Sequence, residues 1–168
     1  MKEEKTSWTK EVLQDLIDGK LDPDTLKRIH VQPKDEDRFE KIIEIEQARV
    51  SWKEKIIAPL AEHLYVVRKG QEMIVKCTCG QEFGDYRQNW KLNALVYERN
   101  PKDGEIYLGP RAADPDWAVL REYYCPGCAT QLEVEAVPPG YPITFDAQLD
   151  IEGFYNQRPK LKKKIFNT

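Results

Sequence analysis

The chain has 168 residues, 40% of them hydrophobic and 33% charged, with a formal net charge of −3. That length fits one domain, or a domain with an appended helical or extended part, and the apolar share is enough to form a core. The slight acidity gives no global attraction to nucleic acid or to an anionic membrane, and no run of 18 apolar residues is present to span a bilayer.

The first third reads as helices. Ser7 or Thr6 can cap a helix that carries Val12, Leu13, Leu16 and Ile17 on one face and stops at Gly19. A second begins at "LDPDTLKRIH", with Asp22 as cap and Pro23 at the first helical position. The third, "DEDRFEKIIEIEQARV", sets Phe39, Ile42, Ile43 and Ile45 among charges and is acidic at its front end, where the helix dipole favours anions. Ser51 with Glu54 three residues on is a capping-box signal for one more short helix. Residues 1–60 are therefore expected to be a helical N-terminal region.

After Pro59 the pattern changes to strands. "HLYVVRKGQEMIVKC" reads as a hairpin turning at Lys69-Gly70, and "KLNALVYERN" and "WAVLREYYC" are further strands. Between these two lies a Gly- and Pro-containing loop, "PKDGEIYLGPRAADPD". "QLEVEAV" alternates at period two and closes a β domain over 61–137. Residues 138–168 hold aromatics without periodicity and end in a basic cluster, Lys160, Lys162, Lys163 and Lys164, expected as a frayed, solvated tail on an extended C-terminal arm. The expected fold class is α+β: a helical N-terminal region, an antiparallel zinc-ribbon-like β domain, and that arm.

All four cysteines fall in two short pairs, Cys77/Cys79 in "KCTCGQEF" and Cys125/Cys128 in "YYCPGCAT". The second pair is a zinc-knuckle signal, two thiolates at i and i+3 on a Pro-Gly turn between strands. The first is less usual. On a straight strand, i and i+2 side chains share a face with Cα atoms about 6.6 Å apart. Sulfurs around tetrahedral zinc, each about 2.3 Å from the metal, lie roughly 3.8 Å apart. The backbone must therefore bend at Thr78-Cys79, and Gly80 is where a positive φ costs little. Cys77, Cys79, Cys125 and Cys128 together make an all-thiolate, four-ligand set without a vacancy for water, which is a structural zinc site. Buried free thiols, two disulfides and a redox pair at Cys125/Cys128 are the competing readings. The charged start, "MKEEKTSWTKEV", does not resemble a secretory signal, so a reducing cytoplasm is expected, where disulfides rarely persist. A thioredoxin-like pair would precede a helix, whereas a strand pattern follows here.

A catalytic constellation is not visible. His30 and His63 are the only histidines, Ser7 and Ser51 the only serines, and neither GxxxxGK[ST] nor GxGxxG occurs. The acidic pairs Asp35/Asp37 and Glu44/Glu46 fit solvated helix faces. Between Cys77 and Val137 ten acids face six bases, the wrong sign for a phosphate-binding surface.

In this order and at this length, "KCTCGQEFGDYRQNWK", "REYYCPGC", "LEVEAVPPGYP" and "DIEGFY" resemble the gamma (small) subunit family of acetone carboxylase, as do "LIDGKLDPDTL" and "PKDEDRFEKIIEI". The resemblance covers residues from about 13 to 155. It implies an (αβγ)2 heterohexamer, formed with alpha and beta subunits, that converts acetone, bicarbonate and ATP to acetoacetate, AMP and phosphate. It also implies that the larger subunits carry the nucleotide chemistry and manganese, and that this chain carries zinc on Cys77, Cys79, Cys125 and Cys128. The expected role is a non-catalytic scaffold, with neither nucleic acid nor membrane as partner. Tyr141, Phe145, Phe154 and Tyr155 of the arm are expected to bury against another chain. The alternatives are a free-standing zinc-ribbon adaptor that binds protein or RNA, and a thiol oxidoreductase.

Overall fold

A computed structural model describes residues 7–99, 114, 116–146 and 148–166. It begins with three helices: α1 (Lys10–Ile17), α2 (Pro23–Val31) and α3 (Arg38–Arg49). Thr9 caps α1 by accepting from the Val12 N–H, and Asp22 caps α2 by accepting from Asp24 and Thr25 with Pro23 in the first turn. Ser7 is not the cap. Its hydroxyl lies 3.3 Å from Asp37 Oδ1 and accepts from Lys41 Nζ at 2.7 Å, which ties the chain before α1 to the start of α3. Leu13, Ile29 and Ile45, one from each helix, form a small core packed by Trp8, Val12, Leu16 and Leu21.

Among the described residues seven strands follow: β1 (Lys55–Ala61), β2 (Leu64–Lys69), β3 (Glu72–Cys77), β4 (Glu82–Asp85), β5 (Leu95–Arg99), β6 (Val119–Tyr124) and β7 (Gln131–Val137). They make two antiparallel sheets, β1-β2-β3-β4 and β5-β6-β7. The β2–β3 hairpin turns where expected, with Gly70 at φ +64°. Leu64, Tyr65, Val66 and Val67 of β2 are all buried, the mark of a strand covered on both faces. Most of the loop between β5 and β6 lies outside the described residues.

Two expectations need correction. The short helix at Ser51 does not form: residues 51–54 bend and β1 begins at Lys55, inside the stretch expected to be helical. Gln47 at the end of α3 donates to the Glu54 carbonyl at 3.2 Å and accepts from the Ile56 N–H at 2.8 Å, so helix and strand are joined directly. Pairing of β1 with β2 outweighs the local capping signal.

The C-terminal arm is not extended throughout either. Helices α4 (Ile151–Asn156) and α5 (Pro159–Phe166) end it. Ile151, Tyr155 and Ile165 join Ile43, Ile56, Ile57 and Tyr65–Val67 in the largest core. Tyr155 donates to the Ile57 carbonyl at 2.6 Å, and Arg68 donates to the Phe166 carbonyl at 2.7 Å. Lys164, expected in a frayed tail, pairs with Glu40 and Glu44 of α3. Phe154 and Tyr155 thus pack on their own chain, whereas Tyr141 is 46% exposed.

The acids expected on solvated helix faces also divide. Glu46 is buried and accepts from the Tyr65 hydroxyl at 2.5 Å, and the covered side chain of half-buried Asp35 accepts from Arg38 Nε at 2.6 Å. Both link α3 to its surroundings. No helix among the described residues is long and apolar enough to cross a membrane.

Candidate metal centre

The two sheets meet at two hairpin ends. The chain leaving β3 supplies Cys77 and Cys79, and the β6–β7 connection supplies Cys125 and Cys128. The first end bends as the spacing demands: Gly80 N–H donates to Cys77 O at 2.9 Å, Cys77 N–H to Gln81 O at 2.8 Å, and Gly80 sits at φ +99°. At the second, Ala129 N–H donates to Cys125 O at 2.8 Å and Cys125 N–H to Thr130 O at 2.9 Å, with Ala129 at φ +57°. Gly127 approaches the first end closely. A Cβ there would meet Gln81 Cβ at 3.1 Å and Cys79 Sγ at 3.4 Å, so a side chain would push the two ends apart.

The structure brings all four sequence-predicted cysteines together. Every Sγ lies within 4.8 Å of the others, with Cys77–Cys128 at 3.9 Å and Cys79–Cys125 at 3.6 Å. These distances bracket the roughly 3.8 Å separation of thiolates around tetrahedral zinc and far exceed a disulfide bond of about 2.05 Å. All four are free thiols; Cys77 and Cys125 are buried while Cys79 and Cys128 are exposed. The cluster is therefore a fit for a soft metal ion. Taken as thiols, burial pushes Cys125 up to about 12, while hydrogen bonding with Thr130, whose Oγ1 lies 3.1 Å from the sulfur, brings Cys128 down to about 6. The Gly127 N–H points at Cys125 Sγ at 3.4 Å, a donor placed to favour the thiolate.

Trp52, between α3 and β1, holds the first end from the helical side. Its indole Nε1–H is shared between the carbonyls of Cys77 at 3.1 Å and Thr78 at 3.2 Å. Trp52→Phe keeps most of the packing and removes that donor. We expect this variant to lose about 1–2 kcal/mol of stability and to release metal to a chelator several-fold faster than the parent, with unchanged stoichiometry at saturation. Equal release rates would show that Trp52 does not position the centre.

Behind the cysteines, Phe83, Trp90 and Tyr123 stack edge to face at 5.9 and 6.0 Å and carry the core from one sheet into the other. Next to them is a site that the sequence pattern did not single out. Lys91 is fully buried, and its ammonium is 2.7 Å from Glu133, 3.3 Å from Glu135 and 3.0 Å from Asp146. Those three carboxylates also lie within 4.8 Å of one another, but the lysine already supplies their cation. Burial by itself would lower the Lys91 ammonium; the bonds to Glu133 and Asp146 more than offset this and hold it above its ordinary value. Glu135 also accepts from the Tyr123 hydroxyl, and Arg121 donates to Tyr141 O at 2.7 Å. The network pins the segment after β7 to the sheet. In the sequence Lys91 was one base among six, and only the alternation of Glu133 and Glu135 on one face of β7 hinted at a common partner.

His30 is exposed in the last turn of α2, and His63 lies in the β1–β2 turn, where its carbonyl accepts from Thr78 N–H at 3.0 Å. Ser51 sits in the bend before β1. The fold and the cluster define a class: an α+β protein whose two antiparallel sheets are joined through four thiols able to hold a metal. The model of one family, described as the acetone carboxylase gamma subunit, matches residues 50–158. The chain is 44% identical over 155 residues to the acetone carboxylase gamma subunit of Xanthobacter autotrophicus, which covers 90% of this chain and 92% of that one. It is also 37% identical over 94 residues to the acetophenone carboxylase beta subunit of Aromatoleum aromaticum, 52% of this chain and 68% of that subunit. The chain belongs to the acetone carboxylase gamma subunit family.

Proposed function

We propose that this chain is a zinc-binding, non-catalytic gamma subunit of an ATP-dependent acetone carboxylase, which turns acetone, bicarbonate and ATP into acetoacetate, AMP and phosphate. Likeness to a gamma subunit over nine-tenths of the chain carries this reading. The four converging thiols supply its structural part, a closed zinc site of Cys77, Cys79, Cys125 and Cys128 in a zinc-ribbon-like arrangement. Zinc at that point would neutralise part of the thiolate charge and fasten β3–β4 to β6–β7; it would do no chemistry on substrate. Residues 1–60, 61–137 and 138–168 are the working parts of this reading: a mainly helical region that runs into β1, the zinc domain, and a C-terminal segment that folds back on both. Nucleotide and manganese chemistry would belong to alpha and beta subunits in an (αβγ)2 assembly in the cytoplasm.

Purification of the tagged chain from cells that also express the alpha and beta subunits tests the proposal. The expected result is equal amounts of three chains, about one zinc per gamma chain, and AMP formation that requires acetone. A chain recovered alone, whatever its zinc content, would refute the subunit assignment. Acetophenone as the preferred ketone would keep the subunit role and change the substrate.

A further inference from the structure

Two pairs of sulfurs are in hydrogen-bonding contact, and each pair joins opposite hairpin ends. Cys77 meets Cys128 at 3.9 Å, and Cys79 meets Cys125 at 3.6 Å. Each contact also sets a buried cysteine against an exposed one: Cys77 and Cys125 lie inside, Cys79 and Cys128 outside. The centre therefore has a closed side and an open side. Every exposed sulfur has, as its neighbour, a buried sulfur from the other end.

The buried members are held by regular structure. Cys77 is the last residue of β3, in register with Leu64 of β2, and both it and Cys125 belong to the aromatic core. Cys125 is tied further by its N–H, which donates to Thr130 O at 2.9 Å. The exposed members ride on turns, Cys79 beside Gly80 at φ +99° and Cys128 beside Ala129 at φ +57°. A disulfide needs its sulfurs about 2.05 Å apart, so closing either cross contact takes a movement of under about 2 Å. A sulfur that holds a soft metal does so as the thiolate, which is also the form that oxidants attack, and susceptibility follows exposure.

We propose that Cys79 and Cys128 are oxidation sites at which hydrogen peroxide forms a disulfide to the buried cysteine opposite, Cys79–Cys125 or Cys77–Cys128, freeing the metal while keeping the two sheets joined. The exposed thiolate attacks one peroxide oxygen. The O–O bond breaks, hydroxide leaves, and the sulfur, oxidised by two electrons, becomes a sulfenic acid. The buried thiolate opposite then attacks that sulfur: the S–S bond forms, the S–O bond breaks, and a second hydroxide leaves. Two thiolates and one peroxide thus give one disulfide and two hydroxides. Two of the four ligands are spent, and the remaining pair cannot close a tetrahedral site. The joint between β3–β4 and β6–β7 changes from ionic to covalent. In a reducing compartment such a bond forms only transiently, as a response to oxidant. The release of zinc rests on the zinc reading given above; the pairing of the sulfurs does not.

The test is titration of the purified full chain with hydrogen peroxide, first with a cyclic 1,3-dione present to trap sulfenic acids, then without it. The trap should label Cys79 and Cys128 about tenfold or more over Cys77 and Cys125. Without it, non-reducing peptide maps should show Cys77–Cys128 or Cys79–Cys125, and about one zinc per chain should appear in solution as the first disulfide forms. Amide exchange in 119–137 should stay as slow in the oxidised chain as in the parent, whereas stripping the metal from the reduced chain with a chelator should speed it. Dithiothreitol and added zinc should restore the starting state. Prior labelling of the buried cysteines, a disulfide within a pair (Cys77–Cys79 or Cys125–Cys128) or between chains, or zinc kept after the first disulfide would each overturn the proposal. So would fast exchange in 119–137 of the cross-linked chain, or a product that dithiothreitol does not reverse. A parent that holds no zinc as purified would refute the zinc reading alone, and the disulfide map would still decide the pairing.

Discussion

Cys125→Ser is expected to reduce bound zinc from about one ion per chain to a small fraction of that, and to cut the yield of folded protein sharply. The Cys125 sulfur is fully buried, 3.6 Å from Cys79, at the point where the second sheet reaches the first. A serine hydroxyl is a poor ligand for the ion, and three thiolates crowded within 4.8 Å would be left to share less compensating charge. Structural zinc contributes on the order of 10 kcal/mol to folding in small metal-dependent domains. Loss of a large part of that exceeds the total stability of many domains, about 5–15 kcal/mol. The damage should be uneven. The four-stranded sheet has its own cover of α3, α4 and α5, whereas β5-β6-β7 is joined to it through the thiols and the Phe83–Trp90–Tyr123 stack. Amide exchange in 119–137 should rise well before that in 64–77. Elemental analysis and hydrogen exchange on the purified variant check both halves, and full zinc loading would count against the centre as drawn. Any complex that assembles around the variant should keep the parent's chemistry, since the ion would be remote from substrate.

Lys91→Met should cost about 3–5 kcal/mol, the usual penalty for removing one partner from a buried ionic group. Methionine fills a similar volume, so the loss isolates the charge. Glu133, Glu135 and Asp146 would then face one another without their cation. The pH dependence follows from sign. In the parent the Lys91 ammonium is held above its ordinary value of 10.5, so its stabilisation is complete below that pH and is lost only as the medium becomes strongly alkaline. Across pH 6 to 9, roughly, its contribution should be flat. Urea unfolding at several pH values measures this. A methionine variant as stable as the parent at neutral pH would mean that the network adds nothing. The segment from Tyr141 to Asp146 should loosen in the same variant, because Lys91 and Arg121 both hold it.

Most of the strands and the first three helices were legible because their signals are local. Asp22 with Pro23 starts α2, Gly70 turns β2 into β3, and alternation marks β7. The Ser51–Glu54 signal was just as local and failed, since residues 55–61 find a whole strand of hydrogen bonds with β2 that a one-turn helix cannot match. Helices α4 and α5 are not legible for the opposite reason. The first is only six residues long, and both are stabilised by seating Ile151, Tyr155 and Ile165 on strands and a helix roughly a hundred positions earlier. Aromatic residues in the arm suggest a surface for another chain, but Phe154 and Tyr155 find one within their own. Glu46 and Asp35 looked solvated because their spacing suits an exposed helix face, and the tyrosine and arginine that bury them cannot be inferred from that spacing.

The cysteine pairs could be read from order alone because two sulfurs three residues or fewer apart are already near neighbours, and chain geometry limits where they can point. The sequence by itself thus determines a four-thiol centre, and its local patterns the α+β class. Which hairpin ends meet, and that Lys91 lies among three acids, both depend on contacts between distant segments. Those are set by how the sheets and helices share one volume, a packing problem whose solution no short window of residues contains.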